Sequence, residues 1–201
     1  MKKLVLLAAL ALALPIAAFA DGGVDYTNSG GTLTGSSSGL SLSGSVLSVV
    51  NGFNGGGKVT GDLGSVSFTT GALLSGSLQT GGTLDGGGSF IITGNGTNGI
   101  PSATLFSGTF TGPVIWSELT TADGNHFYTL TGTLQGTTNT GFSTVGATVQ
   151  LTISTGKNAF NGSTMISSGD TSIVVPEPGS LTLLGTGLVG VAGVIRRKLS
   201  A

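Results

Sequence analysis

The stretch Val145-Gly-Ala-Thr-Val-Gln-Leu-Thr-Ile153 alternates apolar residues with small or polar ones along its whole length. Its apolar members are Val145, Ala147, Val149, Leu151 and Ile153. Because successive side chains of a β-strand point to opposite faces, this spacing places all of them on one face. The segment therefore predicts a strand with one buried face and one face in water.

Shorter segments of the same character occur between Gly- or Asn-rich turns, and no stretch of this region has helical spacing. β-Branched Thr and Val, which favour strands, are abundant. We predict an all-β fold, with a single β-sandwich or jelly-roll-like domain over residues 21–175. Its further strands are predicted at Leu40–Leu42, Ser65–Phe68, Ser89–Ile92, Leu105–Phe110, Val114–Leu119 and Phe127–Leu134.

Two other arrangements remain open for this region. Gly-Thr-Leu and Gly-Ser-Leu triplets recur, as in a β-solenoid, but their spacing is irregular and a solenoid has a fixed period. Low charge and abundant Gly also weaken a core, and they favour disorder most at Asp21–Ser38.

Composition excludes two features. The 201 residues include 38 Gly and no Cys, so an exported form has no disulfides and depends on backbone ladders and a modest core. Residues 21–175 contain seven acidic and two basic residues, a net charge of −5. Nucleic acid is therefore not expected as a partner, because no basic face exists to displace counterions.

Two glycine-rich stretches resemble nucleotide-binding motifs. Gly52–Lys58 fits G-x-x-x-x-G-K, but Val59 stands where a Ser or Thr would hold magnesium. Gly94–Gly99 fits G-x-G-x-x-G, but Ile100-Pro101 follows instead of the helix start that binds a pyrophosphate. Turns and loops are the predicted structures.

The best polar cluster contains Glu118, Asp123 and His126. If Asp123-Gly124-Asn125 turns a hairpin, Glu118 and His126 fall on neighbouring strands and pair, close to Trp116 and Tyr128. The preferred interpretation is an ordinary cross-strand pair beside a half-buried Trp. The alternative is a cation or sugar site with the aromatic rings as a stacking surface.

Enzymatic chemistry finds no support in the sequence. The chain has one His, no Cys and no G-x-S-x-G elbow, so we expect no enzyme, no catalytic residue, no metal site and no cofactor.

The N-terminus has the pattern of a cleavable signal peptide over residues 1–20. Lys2 and Lys3 precede the apolar run Leu4–Leu14, and Ala18 and Ala20 supply the small residues of a signal peptidase site. The run is too short to span about 30 Å of hydrocarbon. Cleavage is predicted before Asp21.

Residues 176–201 form a second targeting region. Pro176-Glu177-Pro178 is followed by the uncharged run Ser180–Ile195 and then by Arg196, Arg197 and Lys198. The run predicts a single transmembrane helix in the inner membrane, and basic residues beside a span stay cytoplasmic. The prolines restrict the motif to extended conformations.

This order of motif, apolar span and basic end resembles the PEP-CTERM sorting tail of Gram-negative bacteria. The resemblance implies an exported protein, anchored with its domain outside, that an exosortase recognises at Pro176, Glu177 and Pro178 and processes. It also implies a surface or matrix role in cells that make exopolysaccharide and biofilms, with exopolysaccharide as a partner. The alternative function is a secreted carbohydrate-binding module, with loop residues or Trp116 at the contact.

Overall fold

The computed structural model describes residues 23–141 and 143–174. In this part of the chain thirteen strands pair antiparallel in one hydrogen-bonded sheet. A short 3-10 turn, Phe53–Gly55, joins the third and fourth strands. The strands are β1 Gly23–Ser29, β2 Thr32–Ser36, β3 Gly39–Asn51, β4 Val59–Thr69, β5 Leu73–Ser77, β6 Gly81–Leu84, β7 Gly87–Gly94, β8 Thr104–Phe110, β9 Val114–Thr120, β10 His126–Thr138, β11 Ser143–Gly156, β12 Ser163–Met165 and β13 Ser168–Val174.

The hydrogen-bonded path closes on itself. It runs β11-β13-β1-β3-β4-β7-β8-β10, and β10 pairs in turn with β11. Closure leaves these strands without a free edge along the paired stretches, which satisfies their backbone donors and acceptors. The hydrophobic core draws side chains from the strands of this ring and also from β2, β6 and β9.

Two long strands each serve two neighbours along one edge. On β10, residues 126–131 pair with β9 and residues 134–138 pair with β8, while the other edge pairs with β11. On β3, residues 39–43 pair with β2 and residues 46–51 pair with β1. These divided edges attach the branches β9-β6-β5 and β2-β12 to the ring.

Burial follows the predicted period of two. On β11, Gln150 and Thr152 are exposed between the buried residues Ala147, Val149, Leu151 and Ile153; the side chain of Val145 is outside the described part. On β10, Phe127, Thr131 and Thr133 are exposed, and Tyr128, Leu130 and Leu134 are buried.

Aromatic rings fill the core under β4, β7 and β8. Phe68 stacks on Phe90 with ring centroids 5.8 Å apart, and Phe110 meets both edge-on at 5.8 and 6.0 Å. Gly132 on β10 makes room for Phe110, because a Cβ there would lie 2.7 Å from the Phe110 ring. Edge-to-face and offset pairs of this kind add to the area that the rings bury.

The predicted all-β class is confirmed, and every predicted strand segment lies within β3, β4, β7, β8, β9, β10 or β11. The solenoid alternative is wrong, because the described pairings are antiparallel and β1, the first described strand, pairs with β13, the last. Disorder is wrong from Gly23 onward, since β1 and β2 pair with β13 and β3.

The two predicted targeting segments lie at the ends of the chain, outside the β domain. The predicted signal peptide and the predicted transmembrane helix are outside the described residues. In the part of the chain that the structure does describe, no helix is both long and apolar enough to cross a bilayer.

Candidate functional site

The first and last strands of the described domain lie side by side. β1 and β13 pair antiparallel, with Gly23 opposite Val174 and Val24 opposite Ile173. The chain thus enters and leaves the sheet at the same end. In the sequence, Pro176 follows Val174 with only Val175 between them.

The last two residues of β13 are held on one side only. Residues 168–172 pair with β11 as well as with β1, whereas Ile173 and Val174 pair with β1 alone. Gly23 and Val24 of β1 likewise pair with β13 alone, because the pairing of β1 with β3 begins at Asp25. At the point where the chain leaves the sheet toward the C-terminal tail, β1 and β13 are therefore paired only with each other.

The predicted Glu118 and His126 pair forms at the opposite end of the sheet. His126 Nδ1 lies 2.8 Å from Glu118 Oε1, and Thr120 Oγ1 donates to the same oxygen at 2.5 Å. The hydrogen bonds from Thr120 and His126, in that order, hold the pKa of Glu118 below its usual value. The prediction of a cross-strand pair is confirmed.

The hairpin that joins these strands is built as the sequence predicted. Gly124 adopts a left-handed φ of 81°, and its N–H donates to Thr121 O at 2.9 Å. Asp123 accepts from the Thr121 hydroxyl and, at 2.6 Å, from Asn125 Nδ2. These contacts, led by Thr121, lower the pKa of Asp123. The carboxylates of Asp123 and Glu118 are therefore both occupied by neighbouring donors.

The stretch from Val174 to Lys198 matches the family model described as the PEP-CTERM protein-sorting motif, over residues 174–198. The chain carries a PEP-CTERM sorting motif. This confirms the resemblance and supports an exported protein that is sorted through its tail. No curated protein and no solved structure matches the chain.

The PEP-CTERM match begins at the last residue of β13, so the motif follows the folded domain directly. Its predicted site residues lie outside the described part, as do those of the signal peptidase site. They are Pro176, Glu177 and Pro178 in the motif, Arg196, Arg197 and Lys198 at the basic end, and Ala18 and Ala20 at the N-terminus.

Trp116 has a structural position in the domain that precedes the PEP-CTERM motif. It is 1% exposed, stacks on Tyr128 and donates its indole N–H to Leu78 O at 2.9 Å. The prediction of a half-buried Trp beside the cross-strand pair is therefore wrong, and so is the alternative that placed Trp116 at a sugar contact. Neither the ring face nor the N–H is available to a ligand.

The two glycine-rich stretches are turns and loops, as predicted. Gly52–Lys58 contains the 3-10 turn and leads into β4, and the segment after Gly94 reaches β8 without a helix. Asn95 donates to Asp62 O at 3.0 Å, which ties this loop to β4. In the described ranges no group of three or more His, Cys, Asp or Glu side chains is placed to hold a metal ion.

Sequence reasoning missed the pairing of Gly23 with Val174. No local sequence pattern predicts this pairing, because β1 and β13 are the first and last strands of the domain and are far apart in the sequence.

Proposed function

We propose that this protein is an exported surface or extracellular-matrix protein with a structural role, and that it is a substrate of sorting rather than an enzyme. The observation that carries the proposal is the PEP-CTERM motif match at residues 174–198, which begins at the last residue of the last strand of a β domain. An exosortase is the proposed processing partner.

The proposed membrane topology of the chain follows from its N-terminal and C-terminal segments. The signal peptide ending at Ala20 directs Asp21 outward, and Ser180–Ile195 halts in the inner membrane. Arg196–Lys198 resist translocation, since each basic residue costs about 2.5–3.5 kcal/mol at the membrane centre. The domain is then held outside until processing near Pro176–Pro178 sends it to the cell surface or the medium.

A structural role is supported by how the polar side chains are used. Glu118 bonds His126 and Thr120, while Asp123 bonds Thr121 and Asn125, so these carboxylates stabilise the domain. The expected association with exopolysaccharide or biofilm is part of this proposal, and it rests on the sorting motif.

The test compares membrane-bound and released protein in the native host by intact mass. Replacing Pro176, Glu177 and Pro178 with alanines leaves the apolar run intact, so insertion should persist while a slightly larger, membrane-bound form accumulates. Deleting Arg196–Lys198 should instead weaken retention and release unprocessed protein. Processing of the alanine variant at the wild-type rate would mean that the motif is only a stiff spacer.

A second candidate is binding of a neutral carbohydrate by the outer face of β9 and β10. Phe127 is 37% exposed and lies opposite the exposed Leu119. Two residues further along each strand, Ser117 lies opposite Thr129. An exposed ring beside hydroxyls suits the apolar faces and hydroxyls of a sugar.

Glycan-array binding by the mature protein tests this candidate. Phe127→Ala should remove the signal, whereas Leu74→Ala, which changes an exposed apolar residue on β5, should keep it. Equal binding by both variants, or none by the wild type, would reject the candidate.

A further inference from the structure

We propose that Ile173 and Val174 separate from β1 before the tail is processed, and that this local opening limits the rate of processing. The inference rests on the proposed function, because it concerns the same processing step. The opened residues would supply the upstream part of the extended segment that the processing enzyme holds.

The linker between β13 and the motif is short. Pro176 is separated from the end of β13 by Val175 alone, which spans about 3.3–3.6 Å when extended. An enzyme that binds the motif as an extended peptide would therefore have the folded sheet only one residue upstream of the motif. Room for it on the upstream side requires that the last residues of β13 leave their partner.

The motif itself has few backbone hydrogen-bond donors. Enzymes and receptors that hold extended peptides do so largely through main-chain hydrogen bonds. Pro176 and Pro178 have no N–H, so Glu177 is the one donor inside the motif itself. Further donors upstream belong to Val175, Val174 and Ile173, and two of these residues are in β13.

The end of β13 opens more easily than the rest of this strand. Ile173 and Val174 pair with β1 alone, and their partners Gly23 and Val24 have no pairing with β3. Val174 is already 53% exposed. Strand ends held on one side open at lower free energy than strands paired on both sides.

Opening nevertheless has a cost that keeps the open form a minority. The side chain of Ile173 is fully buried, and Val24 packs in the same core. A reaction that needs a minor conformation is slowed by the fraction of molecules in that conformation. The domain would thus restrain the cutting of its own tail.

A disulfide between positions 23 and 174 tests the proposal directly. The two residues are directly opposite, and a Cβ at Gly23 would have no neighbour nearer than Ile173 O at 4.0 Å. The chain has no cysteine of its own, so in an oxidising compartment the variant Gly23→Cys, Val174→Cys can form only one disulfide within the molecule, the 23–174 bond.

We expect the oxidised variant to be processed about tenfold more slowly than the wild type, or slower still, with recovery after reduction. The control is Thr69→Cys, Ser89→Cys, which bonds directly opposite residues of β4 and β7 far from the exit and should leave the rate unchanged. Processing of the oxidised 23–174 variant at the wild-type rate overturns the proposal.

A linker provides an independent test without cysteine. Inserting about four Gly or Ser residues between Val174 and Val175 adds roughly 13 Å of extended chain. Processing should then become faster than in the wild type and insensitive to the 23–174 disulfide, and an unchanged rate contradicts the inference. Processing of the triple-alanine motif variant would instead refute the proposed function, so the two failures are distinct.

Discussion

The ring of Trp116 stacks on the ring of Tyr128, with centroids 5.0 Å apart and planes inclined by 14°. Phe160 meets both rings edge-on, at 5.6 and 6.2 Å. The Tyr128 hydroxyl donates to Gln79 O at 2.8 Å and accepts from the Phe160 N–H at 3.0 Å. The aromatic cluster thus ties two loops to β9 and β10.

Tyr128→Phe should lower the free energy of unfolding by about 1–3 kcal/mol, because it leaves a buried N–H and a carbonyl without their partner. Urea unfolding followed by the fluorescence of Trp116, the single Trp of the chain, measures the change. Tyr26→Phe is the matched control, since Tyr26 is also a buried tyrosine and its hydroxyl makes no hydrogen bond within the described residues. Equal losses in the two variants would contradict the assigned role.

His126→Gln should change the melting temperature by less than about 4 °C, because it alters one cross-strand pair in a domain of this size. Calorimetry of the mature protein measures it. If the substitution instead abolished a hydrolytic or metal-dependent activity, the structural interpretation of the Glu118 and His126 pair would be wrong.

Acidification should destabilise the domain through Glu118. Its pKa is lowered in the folded state by Thr120 and His126, so the stabilising contribution is present above the unfolded carboxyl pKa of 4.5 and is lost as pH falls through the folded value. The melting temperature of the wild type should therefore drop below about pH 4.5. Glu118→Gln should show a shallower drop, and identical pH profiles would refute the linkage.

Gly64→Ala should destabilise the domain by more than about 2 kcal/mol, since strain and displacement add. Gly64 has a φ of 147°, and a Cβ there would lie within 1.9 Å of Thr93 O on β7. Gly112→Ala is the control, because its Cβ would meet no atom within 4 Å. Denaturant midpoints compare them, and similar midpoints would contradict the close approach of β4 and β7.

Local patterns were sufficient for the elements. The alternation from Val145 to Ile153 predicted β11 and the burial of Ala147 and Leu151. Successive side chains of a strand point to opposite faces, so residues two apart lie on the same face. The same holds for the hairpin at Asp123-Gly124-Asn125, whose Gly adopts the positive φ that the turn requires.

Burial of single residues was less predictable. Trp116 was expected at the surface margin, yet the rings of Tyr128 and Phe160 and the loop carbonyl of Leu78 enclose it. The latter two groups come from loops distant in the sequence, and no local pattern brings those loops over β9.

The sequence by itself determined the strand class and the sorting tail, because strand periodicity and the order of motif, apolar run and basic end are both local properties of the chain. Only the tertiary structure decided that Gly23 lies opposite Val174 and that β10 closes the ring with β11. Partner choice among many similar Thr-, Ser- and Gly-rich strands depends on which pairings together bury one core and close the ring, and that is a property of the whole sheet.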